Sequence, residues 1–124
     1  MSEAKWIGVD LDKTLAVYEQ GDYKKYGPHY IGPPIPKMVA RVKQWLAEGK
    51  DVRIFTARVA NTEGTMRRQL ELMGSATAIQ VWCKTHIGVR LPITCQKDMD
   101  MEVLYDDRAV GLIPNTGERA DGQP

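Results

Sequence analysis

The stretch Trp6-Ile7-Gly8-Val9-Asp10-Leu11-Asp12-Lys13-Thr14-Leu15 decides the reading of this chain. A short apolar run predicts a buried strand over Lys5 to Val9. Two carboxylates, Asp10 and Asp12, follow where the strand meets a loop. Carboxylates so placed make an oxygen-rich cation site. Mg²⁺ favours hard oxygen ligands and leaves room for waters and a substrate phosphate. A carboxylate beside such a cation can also attack phosphorus as a nucleophile. Asp-x-Asp also occurs in plain turns, where Asp bonds its own backbone. The remainder of the chain has to separate the two readings.

Beyond Leu15 the pattern alternates. Residues 16–35 hold Gly21, Gly27, Gly32, Pro28, Pro33 and Pro34 with Tyr18, Tyr23, Tyr26 and Tyr30, which predicts an irregular loop with a short hairpin. A loop of that length in a compact domain is usually functional. Pro36 to Glu48 reads as a helix, with Pro at its first position and Gly49 after its end. Met38, Val39, Val42, Trp45 and Leu46 form its apolar stripe. A second strand covers Asp51 to Phe55 and ends at Thr56-Ala57-Arg58. Asn61 or Thr62 is placed to cap a helix that runs to Met73, with Met66, Leu70 and Met73 inward and Gly74 closing it. A further helix is expected over Ala76 to His86. Strands are expected over Leu91 to Thr94 and Glu102 to Tyr105, with an edge strand over Val110 to Ile113. The residues from Asn115 to Pro124 read as a weakly ordered tail. His29 and His86 fall in a loop and at a helix end.

Alternation of strands and helices implies a single α/β domain over 1–114, with a parallel sheet and right-handed crossovers. Sites in such sheets lie beyond the carboxyl ends of the strands. Asp10, Asp12, Thr56, Lys97, Asp106 and Asp107 all follow expected strands.

The 124 residues fit one core. A formal net charge of +1 argues against a broad basic surface for nucleic acid. Cys83 and Cys95 show no metal spacing and read as free thiols in apolar surroundings. No run approaches the roughly 20 apolar residues of a membrane helix, and no leader pattern opens the chain. A reducing cytoplasm is the expected compartment.

Taken in order, Asp10-Leu11-Asp12-Lys13-Thr14, Thr56, Lys97 and Asp106-Asp107 resemble the four motifs of the haloacid dehalogenase superfamily of phosphotransferases. The resemblance spans most of the chain and implies a Rossmann-like three-layer fold. It implies a phosphomonoesterase in which Asp10 is the nucleophile and Asp12 the acid, then the base. Thr56 would bond a phosphoryl oxygen, and Lys97 would neutralise charge on that group and on Asp10. Mg²⁺ would be held by Asp10, the backbone carbonyl of Asp12, and Asp106 with Asp107, of which Asp107 aligns with the direct ligand. Thr14 is a substrate-side or turn hydroxyl. Most relatives carry Gly where Lys13 stands.

Thr56-Ala57-Arg58 and Asp106-Asp107-Arg108 also resemble stretches of polynucleotide phosphatase domains and deoxyribonucleotidases. Arg suits bidentate phosphate recognition, so Arg58 and Arg108 point to a nucleotide or a nucleic-acid end as substrate. They could equally brace the acidic loops. No cap domain fits the spacing, so the chain resembles the capless subclass, whose open sites take large substrates or a second subunit as cover. Tyr23 and Tyr26 of the 16–35 loop are expected at the substrate entrance. Two alternatives remain. One is a receiver-like phosphoacceptor, against which stands the lack of an Asp after the third strand. The other is a non-catalytic phosphate-binding module.

Overall fold

The computed structural model describes residues 5–124, so the first four residues of the expected domain lie outside the described residues. Four strands, β1 (Trp6–Asp10), β2 (Asp51–Phe55), β3 (Ile93–Thr94) and β4 (Met101–Tyr105), form one parallel sheet in the order β3-β2-β1-β4. Three α-helices accompany them: α1 (Asp22–Tyr26), α2 (Pro36–Ala47) and α3 (Met66–His86). The chain is thus α/β with a parallel sheet flanked by helices, as the alternation predicts.

Burial follows from the period of each element. Ile7 and Val9 alternate with Trp6 and Gly8 along β1, and pair in register with Val52 and Ile54 of β2. These four join Met38, Val39 and Val42 of α2 and Ile79, Trp82 and Cys83 of α3 in one core. Trp45 and Leu46 pack against it from the end of α2. Trp6, on the alternate positions of β1, is also buried. The Arg53 guanidinium sits 4.7 Å above its ring, and its indole N–H donates to Asp98 at 2.8 Å.

The segment expected as two helices is one. Asn61 is not the cap: its Oδ1 accepts from Gly64 N and its Nδ2 donates to Thr65 O and Gln69 Oε1, while Thr65 caps α3 by accepting from Arg68 N at 3.1 Å. The helix then runs through Gly74 without a break. Its buried residues are Leu72, Ser75, Ile79, Trp82 and Cys83. Met66, Leu70 and Met73 lie on the opposite, exposed face, so the expected inward stripe was half a turn or more out of phase.

Gly74 has a packing role instead of a terminating one. A Cβ there would come within 2.9 Å of the His29 Nε2, because that ring lies across the helix and its Nδ1 bonds Ser75 Oγ at 3.1 Å. Gly74→Ala therefore sets two effects against each other. Helix propensity favours Ala by about 1 kcal/mol, and the obstacle is an exposed side-chain ring that can turn aside. The expected result is a Tm equal to or above that of the wild type, with the His29 imidazole NMR signals shifted by loss of Ser75. A lower Tm would show that the His29 contact holds the fold.

The 16–35 segment is tied at both ends. Ala16 bridges Pro34 in antiparallel fashion, Val17 N donates to Pro33 O, and Ile35 N donates to Leu15 O. The Trp82 indole donates to Gly32 O at 2.9 Å, and a Cβ at Gly32 would run into the Val17 carbonyl. The expected short hairpin is thus limited to this base, and α1 occupies the turn. Past β4, the expected strand over Val110 to Ile113 is reduced to one bridge. Leu112 pairs with Arg119, so the final residues fold back through a turn.

Candidate functional site

Parallel register brings the strand ends to one level. Asp10 is opposite Phe55, Val9 opposite Tyr105, and Phe55 opposite Thr94. The loops that follow β1, β2 and β4 therefore converge at one edge. There the carboxylates of Asp10, Asp106 and Asp107 offer oxygens that all lie within 4.8 Å of one another. Thr14 Oγ1 donates toward Asp10 Oδ2 and Asp107 Oδ1, both at 3.4 Å. Asp106 Oδ1 accepts from Arg108 N at 3.0 Å, which fixes the turn.

Crowded, half-buried carboxylates resist ionisation together. Burial first, then the hydrogen bond with Asp107, then the charges of Asp106 and Asp107, push the Asp10 carboxyl up to about 7. Oxygen-only donors of this kind fit a hard divalent cation such as Mg²⁺, which relieves the repulsion and favours the ionised form.

Asp12 stands apart from that cluster. Both its oxygens accept from Arg58, Nε and Nη2 each at 2.8 Å. The side chain of Arg58 is only 15% exposed, and it also reaches the Pro28 carbonyl and the Tyr18 ring. Thr56 is buried, and its hydroxyl accepts from Arg58 N at 3.1 Å while capping the 3₁₀ turn Ala57–Val59. The hydroxyl proton of Thr56 stays available to an incoming oxygen.

Two adjoining cavities share Asp12, Tyr18 and Arg58. One, of about 360 Å³, is lined by Asp10, Asp12, Lys13, Thr56, Asp107 and Arg108 among others. The other, of about 370 Å³, adds Tyr23, His29, Arg68, Glu71 and Ser75 from the loop and α3. Arg68 is paired with Glu71 at 3.1 Å, as Arg58 is with Asp12.

Most of the residues singled out from the sequence meet at this edge: Asp10, Asp12, Thr14, Thr56, Arg58, Asp106, Asp107 and Arg108. Lys97 does not. It is exposed on the connection from β3 to β4, and neighbouring Asp98 already bonds Trp6 at the far end of β1. Tyr26 lines neither cavity. It stacks on Tyr30 with ring centroids 4.3 Å apart, whereas Tyr18 and Tyr23 line the second cavity. Tyr18, Glu71 and Ser75 carry no sequence signal that would single them out. Only the folded proximity of the loop to α3 assigns them. Cys83 is a buried free thiol whose pKa burial raises to about 11, and Cys95 is a partly buried free thiol.

No family model and no curated protein matches the chain. Its fold is similar to that of a solved structure, a conserved protein coded by a locus from Bacteroides thetaiotaomicron. The likeness has a TM-score of 0.56 at 22% identity and covers 91% of this chain and 84% of that one. At such identity it shows the α/β fold and nothing of the chemistry. Among the described residues no helix is long and apolar enough to cross a membrane.

Proposed function

We propose that the chain is a Mg²⁺-dependent phosphomonoesterase of the haloacid dehalogenase type, acting through an aspartyl-phosphate. The observation that carries this reading is the trio Asp10, Asp106 and Asp107 at one strand-end edge, beside the Thr56 hydroxyl and the Asp12–Arg58 pair. The three carboxylates are the groups that would hold Mg²⁺. The cation, when bound, supplies positive charge that lets a carboxylate and a phosphate approach each other.

The reaction then follows from the chain's own groups. An Asp10 oxygen attacks phosphorus and forms a P–O bond. The bond to the substrate alcohol breaks, and its electron pair leaves with the alcohol oxygen, which takes a proton from Asp12. Water next attacks phosphorus, gives its proton to Asp12, and breaks the bond to Asp10. Inorganic phosphate and a free Asp10 carboxylate result. For Asp12 to carry a proton, its pair with Arg58 has to open. A phosphoryl group offers Arg58 the same bidentate geometry that the carboxylate does, so substrate entry supplies the exchange.

The second cavity suits the alcohol side of the substrate. Both its arginines are already paired with carboxylates, so no second phosphate is called for. Tyr18 and Tyr23 offer flat faces. These features favour a nucleoside-sized body, hence a nucleotide or a polynucleotide end. Tyr23→Ala is expected to raise KM for a nucleoside monophosphate roughly tenfold, the scale of one lost base–aromatic contact. Hydrolysis of p-nitrophenyl phosphate should stay unchanged. Equal effects on the two substrates would remove the loop from substrate binding.

Turnover of p-nitrophenyl phosphate and of 3′- and 5′-nucleotides, with Mg²⁺ and with chelator, tests the reading directly. Mg²⁺-independent turnover would overturn it. Stoichiometric, long-lived phosphorylation of Asp10 without turnover would favour the phosphoacceptor alternative.

A further inference from the structure

Three cavities follow one another along this face. The two that share Asp12, Tyr18 and Arg58 were described above. The second of them shares His29 with a third, of about 390 Å³, between the 16–35 segment and α3. The first and the third have no lining residue in common. Ile31, Ala78, Val81 and Trp82 make the third cavity largely apolar. The second is polar on its α3 side, where Arg68, Glu71 and Ser75 line it. His29 therefore stands as a partition between a polar space and an apolar one.

The partition is held from both sides. The His29 Nδ1 lies 3.1 Å from the hydroxyl oxygen of Ser75, a buried residue of α3. A Cβ on Gly74 would come within 2.9 Å of the His29 Nε2. Gly74 is the only glycine of α3. Glycine in a helix interior is disfavoured, and the ring that it seats explains this one. On the other side the carbonyl of Pro28, the preceding residue, accepts from Arg58 Nη1 at 3.4 Å. The partition is thus tied to the Asp12–Arg58 pair as well as to α3.

Resting on the phosphatase reading above, we propose that His29 is a specificity-determining residue that closes the far end of the second cavity. Its ring confines the alcohol part of the substrate to the polar space beside Tyr18 and Tyr23, and shuts off the apolar groove beyond. Polar alcohols of nucleoside size are accepted, and alcohols with an apolar extension gain nothing from that groove. His29 touches no reacting atom and takes no part in bond making.

A series of n-alkyl phosphonates of increasing length tests this, with binding measured calorimetrically in saturating Mg²⁺. These compounds carry the phosphoryl charge on a carbon–phosphorus bond, so they are not hydrolysed. Each methylene that leaves water tightens binding by up to about fourfold. In the wild type the affinity should stop rising at the length that meets His29. In His29→Ala it should continue to rise, by roughly tenfold over the next two or three methylenes. His29→Phe restores the bulk without the hydrogen bond and should level off where the wild type does. His29 is exposed, so both variants should keep the fold. The readout is the length at which each protein levels off, so a general loss of affinity cancels. Coincident profiles for the wild type and His29→Ala overturn the assignment, as does a His29→Phe profile that follows His29→Ala. If the wild type levels off as expected but hydrolyses no phosphomonoester, the phosphatase reading fails and His29 stands as the partition. A wild type that binds none of the series overturns both.

Discussion

Asp10→Asn is expected to lower phosphomonoester turnover by at least about 10⁴-fold, because the attacking oxygen is lost while shape and size are kept. Asp12 is turned toward Arg58, and Asp106 is held by the backbone of Arg108. The variant should still fold, since the Asn amide can accept the same hydrogen bond from Thr14. Rates on p-nitrophenyl phosphate in saturating Mg²⁺ measure the effect. A residual rate within tenfold of the wild type would place the nucleophile elsewhere. Mass spectrometry after a rapid acid quench gives a second reading, with a phosphate adduct expected on the wild type alone.

The sheet was readable because its strands are short apolar runs that stop at acidic or hydroxyl residues. Val52 and Ile54, and Ile7 and Val9, carry the period of a strand whose one face is buried. The parallel sense of the sheet follows from the same alternation, while the order β3-β2-β1-β4 comes from the structure. The α3 region was harder for a definable reason. Its amphipathic signal is weak, since Met66, Leu70, Met73 and Val81 lie exposed on one face while Ile79 and Trp82 are buried on the other. With apolar residues on both faces, periodicity cannot choose the inner one, and Gly74 then looks like a stop. Its true partner is His29, 45 positions away in sequence, and no local rule reaches that far. Lys97 illustrates the limit of a motif. Order along the chain brought it into the set, and in the structure it is exposed on the connection from β3 to β4, outside the lining of both cavities. The left-handed φ of Lys13 was equally invisible, although the motif that this stretch resembles has Gly at that place.

Metal-free protein should lose stability between about pH 4 and pH 7, and Mg²⁺ should restore it. The folded Asp10 carboxyl holds its proton up to about 7, whereas an unfolded one releases it near 3.8. In that window the folded state binds the extra proton, so unfolding becomes easier as the pH rises. Below pH 4 both states are protonated and the contribution is flat. Above pH 7 both are ionised, and the repulsion with Asp106 and Asp107 is felt in full. Taken at face value the shift would weigh several kcal/mol. Asp10 is only about half-buried, so solvent screening brings the expected loss down to roughly 1–2 kcal/mol. The comparison that isolates it is wild type against Asp10→Asn in chelator, since every other titrating group is common to both. The wild type should fall relative to the variant from pH 4 to pH 7, so that Asp10→Asn is the more stable protein at pH 8. Saturating Mg²⁺ should then reverse the ranking, because a cation at about 100 times its Kd adds roughly 2.7 kcal/mol to the state that binds it. Mg²⁺ affinity should itself weaken below pH 7, where a proton competes for Asp10. Parallel stability curves for the two proteins in chelator would mean that Asp10, Asp106 and Asp107 do not share one electrostatic site, and the proposed cation site would go with them.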